Sequence, residues 1–312
     1  MNNPLYQKHI ISMNNLSILE LKLILKTIKA LKLKPQPFLL KNKIIANCFY
    51  EPSIRTRLSF EIASQLLGAS IVSFYNNNSV FTNVKDESLV DTMSIISSYV
   101  DVIIMRHPKE GIINMISNFS KCVPILNAGD GSNEHPSQTI LDIFSIYETQ
   151  GKLNNLNVAM VGDLKYNRTV HSLVKALSKF GYNRFYFIPT STLFIPLSIL
   201  DILKNKNINY SIHNSIDEII NKLDILYMTR IQKERLTLLE YSNIKTNHIL
   251  NTKMFFLARD NLRILHPLPR MNEIPYEIDN TPYAYYFQQA RNGIYARQAL
   301  LALMAGFNKV IF

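Results

Sequence analysis

Cysteine is scarce: Cys48 and Cys122 are the only two in 312 residues. Neither belongs to a C-x-x-C pair, so a disulfide framework and a zinc ribbon both lack their signatures. Long apolar runs are missing too. No stretch approaches the ~18 residues that a membrane span needs. Residues 1–13 lack a basic segment followed by an apolar run, so no secretory signal is expected. A reducing cytoplasm fits these absences. The phosphate-loop pattern G-x-x-x-x-G-K-[ST] does not occur, and nucleotide-driven phosphoryl transfer loses support with it. Acidic residues are in deficit, 23 against 34 basic, for a formal charge of +11. Such an excess raises the question of a nucleic-acid partner. The positions of the charges argue against one. The densest cluster, Lys22, Lys26, Lys29, Lys32 and Lys34, falls at helical spacing among leucines and isoleucines, as on the solvated side of an amphipathic helix.

Hydrophobic residues make up 47% of the chain, enough for a sizeable core, and the length suggests about two domains. Short β-rich runs alternate with helical patterns. Strands are expected at Ile44–Phe49, Ile71–Phe74, Val102–Met105 and Val123–Leu126. A second series follows at Val158–Gly162, Phe185–Ile188, Ile208–Tyr210, Ile225–Met228 and Ile264–Leu265. Between the first two, Leu58, Ile62, Leu66 and Leu67 mark a helix face, with Gly68 as its stop. Glu87–Tyr99 reads as a further helix with Leu89, Val90, Met93 and Ile96 on one face. Val170, Leu173, Val174 and Leu177 mark another. The alternation predicts an α/β chain of two domains, each a parallel sheet flanked by helices and linked by bridging helices. The boundaries fall at 1–135, to which a C-terminal helix at 292–312 returns, and 136–291.

Ligands of open parallel sheets bind beyond the carboxyl ends of the strands. In this sequence those places hold Ser53-Ile54-Arg55-Thr56-Arg57, Arg106-His107-Pro108, His135-Pro136-Ser137-Gln138, Arg168, Arg230-Ile231-Gln232 and His266-Pro267-Leu268-Pro269-Arg270. Six cationic or hydrogen-bonding segments make a site for a polyanion. Residues 53–57 lie where strand gives way to helix, so free backbone N–H groups and the helix dipole meet an anion there. Ser and Thr hydroxyls add neutral donors, and Arg adds a planar fork for phosphate oxygens. Ser53 serves equally well as a plain helix N-cap. Thr56, Arg106 and His135 are of the types that stabilise a carbonyl oxygen gaining charge in acyl transfer, although a lone histidine is more often structural. Arg168 and Arg230, each opening a loop after a strand, suit a dicarboxylic acid with one guanidinium per carboxylate. Gln232 adds an amide donor. The two prolines of residues 266–269 fix φ and donate no N–H, leaving carbonyls to orient an amine. The same run is also consistent with an ordinary turn.

These motifs, in this order and over nearly the whole chain, resemble the carbamoyltransferases. Residues 53–57 are similar to that family's carbamoyl-phosphate signature, and His135-Pro136-Ser137-Gln138 to its second signature. Gly162-Asp163-Leu164 through Arg168, Arg230 through Arg235, and residues 266–270 resemble its aspartate branch. The resemblance implies transfer of a carbamoyl group from carbamoyl phosphate to the amine of L-aspartate, the first committed step of de novo pyrimidine synthesis, with no metal or organic cofactor. It implies that Ser53, Arg55, Thr56 and Arg106 hold the phosphate, that Thr56, Arg106 and His135 polarise the carbonyl, and that Gln138 binds the carbamoyl amide. Arg168, Arg230 and Gln232 would hold the aspartate carboxylates, with Leu268 and Pro269 at the amine. It further implies a homotrimer with shared active sites, into which Lys85 reaches from a neighbouring chain. Glu51 would bridge to Arg168 and Arg235 on domain closure, and Lys165 with Glu240 would form a second closure pair. Zinc-containing regulatory chains accompany some members of the aspartate branch. No nucleic acid or membrane is implied.

Two positions depart from the family pattern. Ile54 stands where threonine is usual, a change that a backbone contact would survive. Phe81 stands where the neighbouring-chain loop usually carries a serine. Losing that hydroxyl contact to a charged phosphate costs about 1.5–3 kcal/mol, which is roughly ten- to hundredfold in affinity or rate. Ser79 and Thr82 are the nearby hydroxyls that could compensate. Two rivals follow: a non-catalytic scaffold of the same fold, supported by Ile54 and Phe81 alone, and an ornithine-specific transferase. The latter usually has cysteine where Pro267 stands.

Overall fold

The computed structural model describes residues 2–75, 88–118, 123–242, 244 and 248–306, the side chains of 75, 234, 240 and 241 excepted. The chain divides into two compact units, Met1–Ile140 with Asn292–Phe312, and Leu141–Arg291.

In the first unit, α1 (Ile18–Leu33) opens with a capping box. The Ser17 hydroxyl accepts from Glu20 N at 3.2 Å, and Ser17 N donates to the Glu20 carboxylate at 2.7 Å, an arrangement contributing about 1 kcal/mol. Leu21, Ile24, Leu25 and Ile28 are buried, while Lys22, Lys26 and Lys29 stay in solvent as their spacing requires. Then follow β1 (Ile44–Phe49), α2 (Ile54–Leu66), β2 (Ser70–Tyr75), α3 (Leu89–Tyr99), β3 (Val102–His107), α4 (Ile112–Ser117), β4 (Ile125–Asp130) and α5 (Pro136–Gln150). The four strands form one parallel sheet in the order β2-β1-β3-β4. Ala46, Cys48, Ile103 and Met105 face a core shared with Met93, Ile96, Ile113 and Ile116. Each isoleucine or methionine among them taken out of water contributes about 1.5–3 kcal/mol.

Several elements differ from the sequence expectation. On α2 the buried face is Thr56, Phe60, Ala63 and Ser64, continued by the C-cap Leu67, whereas Leu58 and Leu66 are each 47% exposed. Two polar residues on the inner face hide its helical period. Gly68 ends α2 as expected: its φ is +80°, and a Cβ would meet the Pro37 carbonyl oxygen at 2.4 Å. On α3 the N-cap is Ser88, whose hydroxyl accepts from Asp91 N at 3.1 Å. β3 continues through Arg106 and His107, because Phe49 of β1 pairs with Arg106. β4 starts two residues late and carries Gly129 and Asp130 as strand, His107 pairing with Asp130.

The second unit contains β5 (Asn157–Gly162), α6 (Arg168–Leu177), β6 (Arg184–Pro189), α7 (Leu197–Asn205), β7 (Tyr210–Ile212), β8 (Ile225–Met228), α8 (Leu238–Ser242) and β9 (Arg263–Leu265). Its parallel sheet runs β7-β6-β5-β8-β9. β7 lies two residues beyond the expected Ile208–Tyr210. Both faces of the sheet are covered, which is why β5 and β8 read as unbroken apolar runs. The chain passes into this unit within α5 and leaves it within α9 (Tyr286–Leu301). Among the described residues, no helix is long and apolar enough to cross a membrane.

Candidate active site

The parallel register fixes which loops are neighbours. In the first unit β1, β3 and β4 are adjacent, so the segments after Phe49, His107 and Asp130 emerge side by side from one edge of the sheet. Ser53 is the N-cap of α2, with φ −160° and ψ 100°, yet its hydroxyl makes no capping bond. The first turn of α2 holds no acidic residue, so its positive end is not neutralised from within the helix. Arg55 and Ile54 are exposed, and Thr56 is buried.

Arg106 joins two of these loops. Its backbone carbonyl accepts from Tyr50 N at 2.8 Å. Its guanidinium lies 2.9 Å from the Glu51 carboxylate and donates to the Ala128 carbonyl at 3.3 Å. His107, its ring tilted against Tyr50 with centroids 5.4 Å apart, accepts from Lys109 N through Nδ1, and burial pushes its imidazole below the ordinary histidine range.

His135 immediately precedes α5, and its carbonyl accepts from Gln138 N and Thr139 N, each at 3.0 Å. The imidazole is buried, with Nδ1 3.3 Å from the Ser137 hydroxyl. When that hydroxyl donates, Nε2 carries the proton and is a donor. The turn leading to His135 is built on Asp130, a buried carboxylate that sequence reading left unassigned. It accepts from Asn127 Nδ2, Asn133 Nδ2, Gly111 N and Glu134 N at 2.9–3.2 Å. The Glu134 carboxylate in turn accepts from Ser12 Oγ and Met13 N.

In the second unit β5, β8 and β9 are adjacent, and the segments carrying Arg168, Arg230 and Leu268 follow them. Arg168 does not open a loop as expected. It is the first residue of α6 and is buried, with Asn167 as N-cap accepting from Thr169 N at 3.2 Å. Gly162 ends β5 at φ +109°, where a Cβ would sit 2.4 Å from the Thr229 carbonyl oxygen. The next residue, Asp163, ties two loops together by accepting from Tyr166 N at 2.9 Å and Gln232 N at 3.4 Å. Burial raises its carboxyl above the usual range, against backbone hydrogen bonds and the charge of Arg235. The Gln232 side-chain amide donates to the Tyr166 carbonyl at 3.1 Å. The Arg230 guanidinium donates to the Ile231 carbonyl, and Lys165 lies over the Tyr166 ring.

The segment after β9 is held from three sides. His266 Nδ1 accepts from Leu268 N at 2.8 Å, Nε2 pairs with Glu273 at 2.8 Å, and His266 N donates to Gln289 at 2.8 Å. Leu268 has φ +56°, and the Leu268–Pro269 bond is cis. Arg270 then pairs through both terminal nitrogens with Asp279, under the rings of Tyr276, Tyr286 and Phe287. Lys85, Phe81, Ser79, Thr82, Glu87 and Cys122 lie outside the described residues, as does the side chain of Glu240. Among the described residues, no three His, Cys, Asp or Glu side chains gather as a metal-binding group.

Comparison with known proteins finds two family domains, the second of which includes residues 292–304 that pack with the first unit here. Residues 8–148 match the family model for the aspartate/ornithine carbamoyltransferase carbamoyl-P binding domain. Residues 154–304 match that for the aspartate/ornithine carbamoyltransferase Asp/Orn binding domain. The catalytic subunit of M. jannaschii aspartate transcarbamoylase is 42% identical, with a TM-score of 0.85 over 95% of this chain and 97% of that one. Trypanosoma cruzi aspartate transcarbamoylase in complex with carbamoyl phosphate and aspartate is 32% identical, with a TM-score of 0.91 over 97% and 98% of the two chains. The same T. cruzi enzyme in complex with N-(phosphonacetyl)-L-aspartic acid gives 32% and 0.89 over the same shares. With both halves matched and these likenesses spanning nearly its full length, the chain belongs to the aspartate/ornithine carbamoyltransferase family.

Proposed function

We propose that the chain transfers the carbamoyl group of carbamoyl phosphate to the amine of L-aspartate, giving N-carbamoyl-L-aspartate and phosphate. One observation carries the reading. The sheet edge of the first unit presents groups for a phosphate and a carbonyl, and that of the second carries two arginines suited to a diacid. Relatives solved with carbamoyl phosphate and aspartate support it.

In this reading Ser53, Arg55, Thr56 and the amides at the start of α2 hold the phosphate, together with Arg106. Thr56, Arg106 and His135 donate to the carbonyl oxygen, and Gln138 binds the carbamoyl NH2. Arg168, Arg230 and Gln232 take the carboxylates, while the Leu268 carbonyl and Pro269 flank the amine. The neutral amine attacks the carbonyl carbon, and the C=O π electrons move to oxygen. As the tetrahedral intermediate collapses, the C–O bond to phosphorus breaks and phosphate leaves with the amine proton. No protein base is required. The chain supplies orientation and preorganised donors for the oxyanion. The remaining elements of the reading are a homotrimer with Lys85 contributed by a neighbouring chain, a cytoplasmic location, a place at the start of pyrimidine synthesis, and closure contacts of Glu51, Arg235, Lys165 and Glu240. Zinc-bearing regulatory chains are a further partner it allows.

The test is carbamoyl-aspartate formation by the purified chain, with ornithine as the alternative amine and Arg55→Ala alongside. Aspartate-dependent product that disappears in the variant is the expected result. A folded protein with no product from either amine favours the non-catalytic scaffold, and product from ornithine alone overturns the substrate assignment.

A further inference from the structure

A buried chain of hydrogen bonds runs through the second unit behind the residues assigned to aspartate. Asp142 of α5 and Tyr227 of β8 are both 0% exposed. The Tyr227 phenol donates to Asp142 Oδ2 at 2.8 Å. The Gln289 side-chain amide donates to Asp142 Oδ1 at 2.6 Å. On its other side Gln289 accepts from His266 N at 2.8 Å. The Thr169 side chain lies beside the Tyr227 phenol, its own hydroxyl donating to Asn167 Oδ1 at 2.6 Å.

The members of this chain are placed next to the groups that matter. Thr169 directly follows Arg168 in the first turn of α6. Tyr227 stands on the strand that leads to Arg230. His266 begins the segment that presents the Leu268 carbonyl. One carboxylate thus ties β8 to the segment after β9 by hydrogen bonds, with the first turn of α6 beside its phenol partner. A carboxylate taken wholly out of water is costly, and an apolar side chain of similar volume is often as stable or more so. Its physical return is geometric: a satisfied buried network admits one arrangement of the groups it joins.

We propose that Asp142, Tyr227 and Gln289 are positioning residues for the aspartate side of the reaction, fixing the spacing of Arg168, Arg230 and the Leu268 carbonyl. The proposal rests on the carbamoyltransferase reading given above. A displacement of about 1 Å at a binding group costs up to a hundredfold in turnover, so a small shift of the network reaches the groups that hold the substrate.

The experiment compares wild type, Tyr227→Phe and Gln289→Leu. It measures the aspartate dependence of carbamoyl-aspartate formation, inorganic phosphate binding by calorimetry, and the melting temperature. Both variants should raise the half-saturating aspartate concentration about tenfold or more, with phosphate affinity within about twofold because the phosphate groups lie in the other unit. The decisive arm is an exchange of roles, Asp142→Asn together with Gln289→Glu. The new amide donates to the new carboxylate and still accepts from Tyr227, and the new carboxylate still accepts from His266 N. Each single change should impair aspartate binding and the pair should restore it. Variants that melt lower but keep the wild-type aspartate dependence overturn the positioning role, as does a well-folded double variant no better than the singles. A wild-type chain that makes no carbamoyl-aspartate overturns the functional reading and this proposal together. An active wild type with unaltered variants overturns this proposal alone.

Discussion

The carboxylate of Glu51 stands 2.9 Å from the guanidinium of Arg106, both of them in the first unit. Arg106 is one of the groups assigned to the incoming phosphate, so a bound anion and Glu51 compete for the same cation. Glu51→Gln removes the competing charge and keeps the shape. Inorganic phosphate should then bind about fivefold tighter, the equivalent of about 1 kcal/mol for one partly exposed ion pair. Calorimetric titration at low salt measures this directly. Weaker binding would mean that the carboxylate holds Arg106 in place for the anion.

Arg270 is clamped by Asp279 on both terminal nitrogens and covered by three aromatic rings. The pair draws the Asp279 carboxyl below its usual range, and the Tyr286 phenol sits in the same knot. Arg270→Lys keeps the charge but loses the planar fork and its ring contacts. Loss of about 1.5–3 kcal/mol from the second unit is expected, read as a lower urea midpoint. An unchanged midpoint would show that the clamp contributes nothing net.

Glu273 gives the second unit an acid-sensitive contact. Burial alone would raise its carboxyl, but hydrogen bonds from His266 and from Met271 N outweigh burial and hold it below the ordinary value of 4.5. A folded-state pKa below the unfolded one contributes stability that is present above pH 4.5 and lost as pH falls through the lower, folded value. Unfolding free energy should therefore drop on acidification below that point, and the slope should be shallower in Glu273→Gln. Parallel curves for the two proteins would remove Glu273 as the source.

Cys48 lies fully buried in β1, and burial pushes its thiol up to about 12. At pH 8 only about one thiol in ten thousand is then ionised, and thiolate is the reactive form. A disulfide-exchange reagent should consume at most one of the two thiols in native protein and both in urea. Rapid reaction of both in the native state would contradict the packing of β1.

Much of the architecture was legible because parallel strands covered on both faces are written as short apolar runs, as at Val158–Gly162 and Ile225–Met228. The strand-end segments were legible because their chemistry is local: a serine, two arginines and a threonine at a helix start need no distant partner to be noticed. What escaped was everything decided at long range. The inner face of α2 carries Thr56 and Ser64, so its period is broken in the text though intact in space. Arg106 reads as the residue after a strand until β1 is known to pair with it. Asp142, Tyr227 and Gln289 lie 85 and 147 positions apart along the chain, and no local pattern announces that they meet. Arg270 stood in a motif without a role, because its partner Asp279 sits beyond a further turn.

The division of the chain has a bearing on how the molecule comes into being. The first unit opens at the N-terminal end but is closed by residues beyond 291. Asn3 donates to the Leu303 carbonyl, Gln7 N donates to Met304, and Lys32 reaches Asn292, with Ala296, Leu300 and Leu303 packed inside. On a ribosome, where domains ordinarily mature in the order they emerge, the second unit is fully translated before the residues that complete the first. Everything the second unit needs is in hand first, and the half begun earliest waits, its sheet already translated, for the last helix to come home.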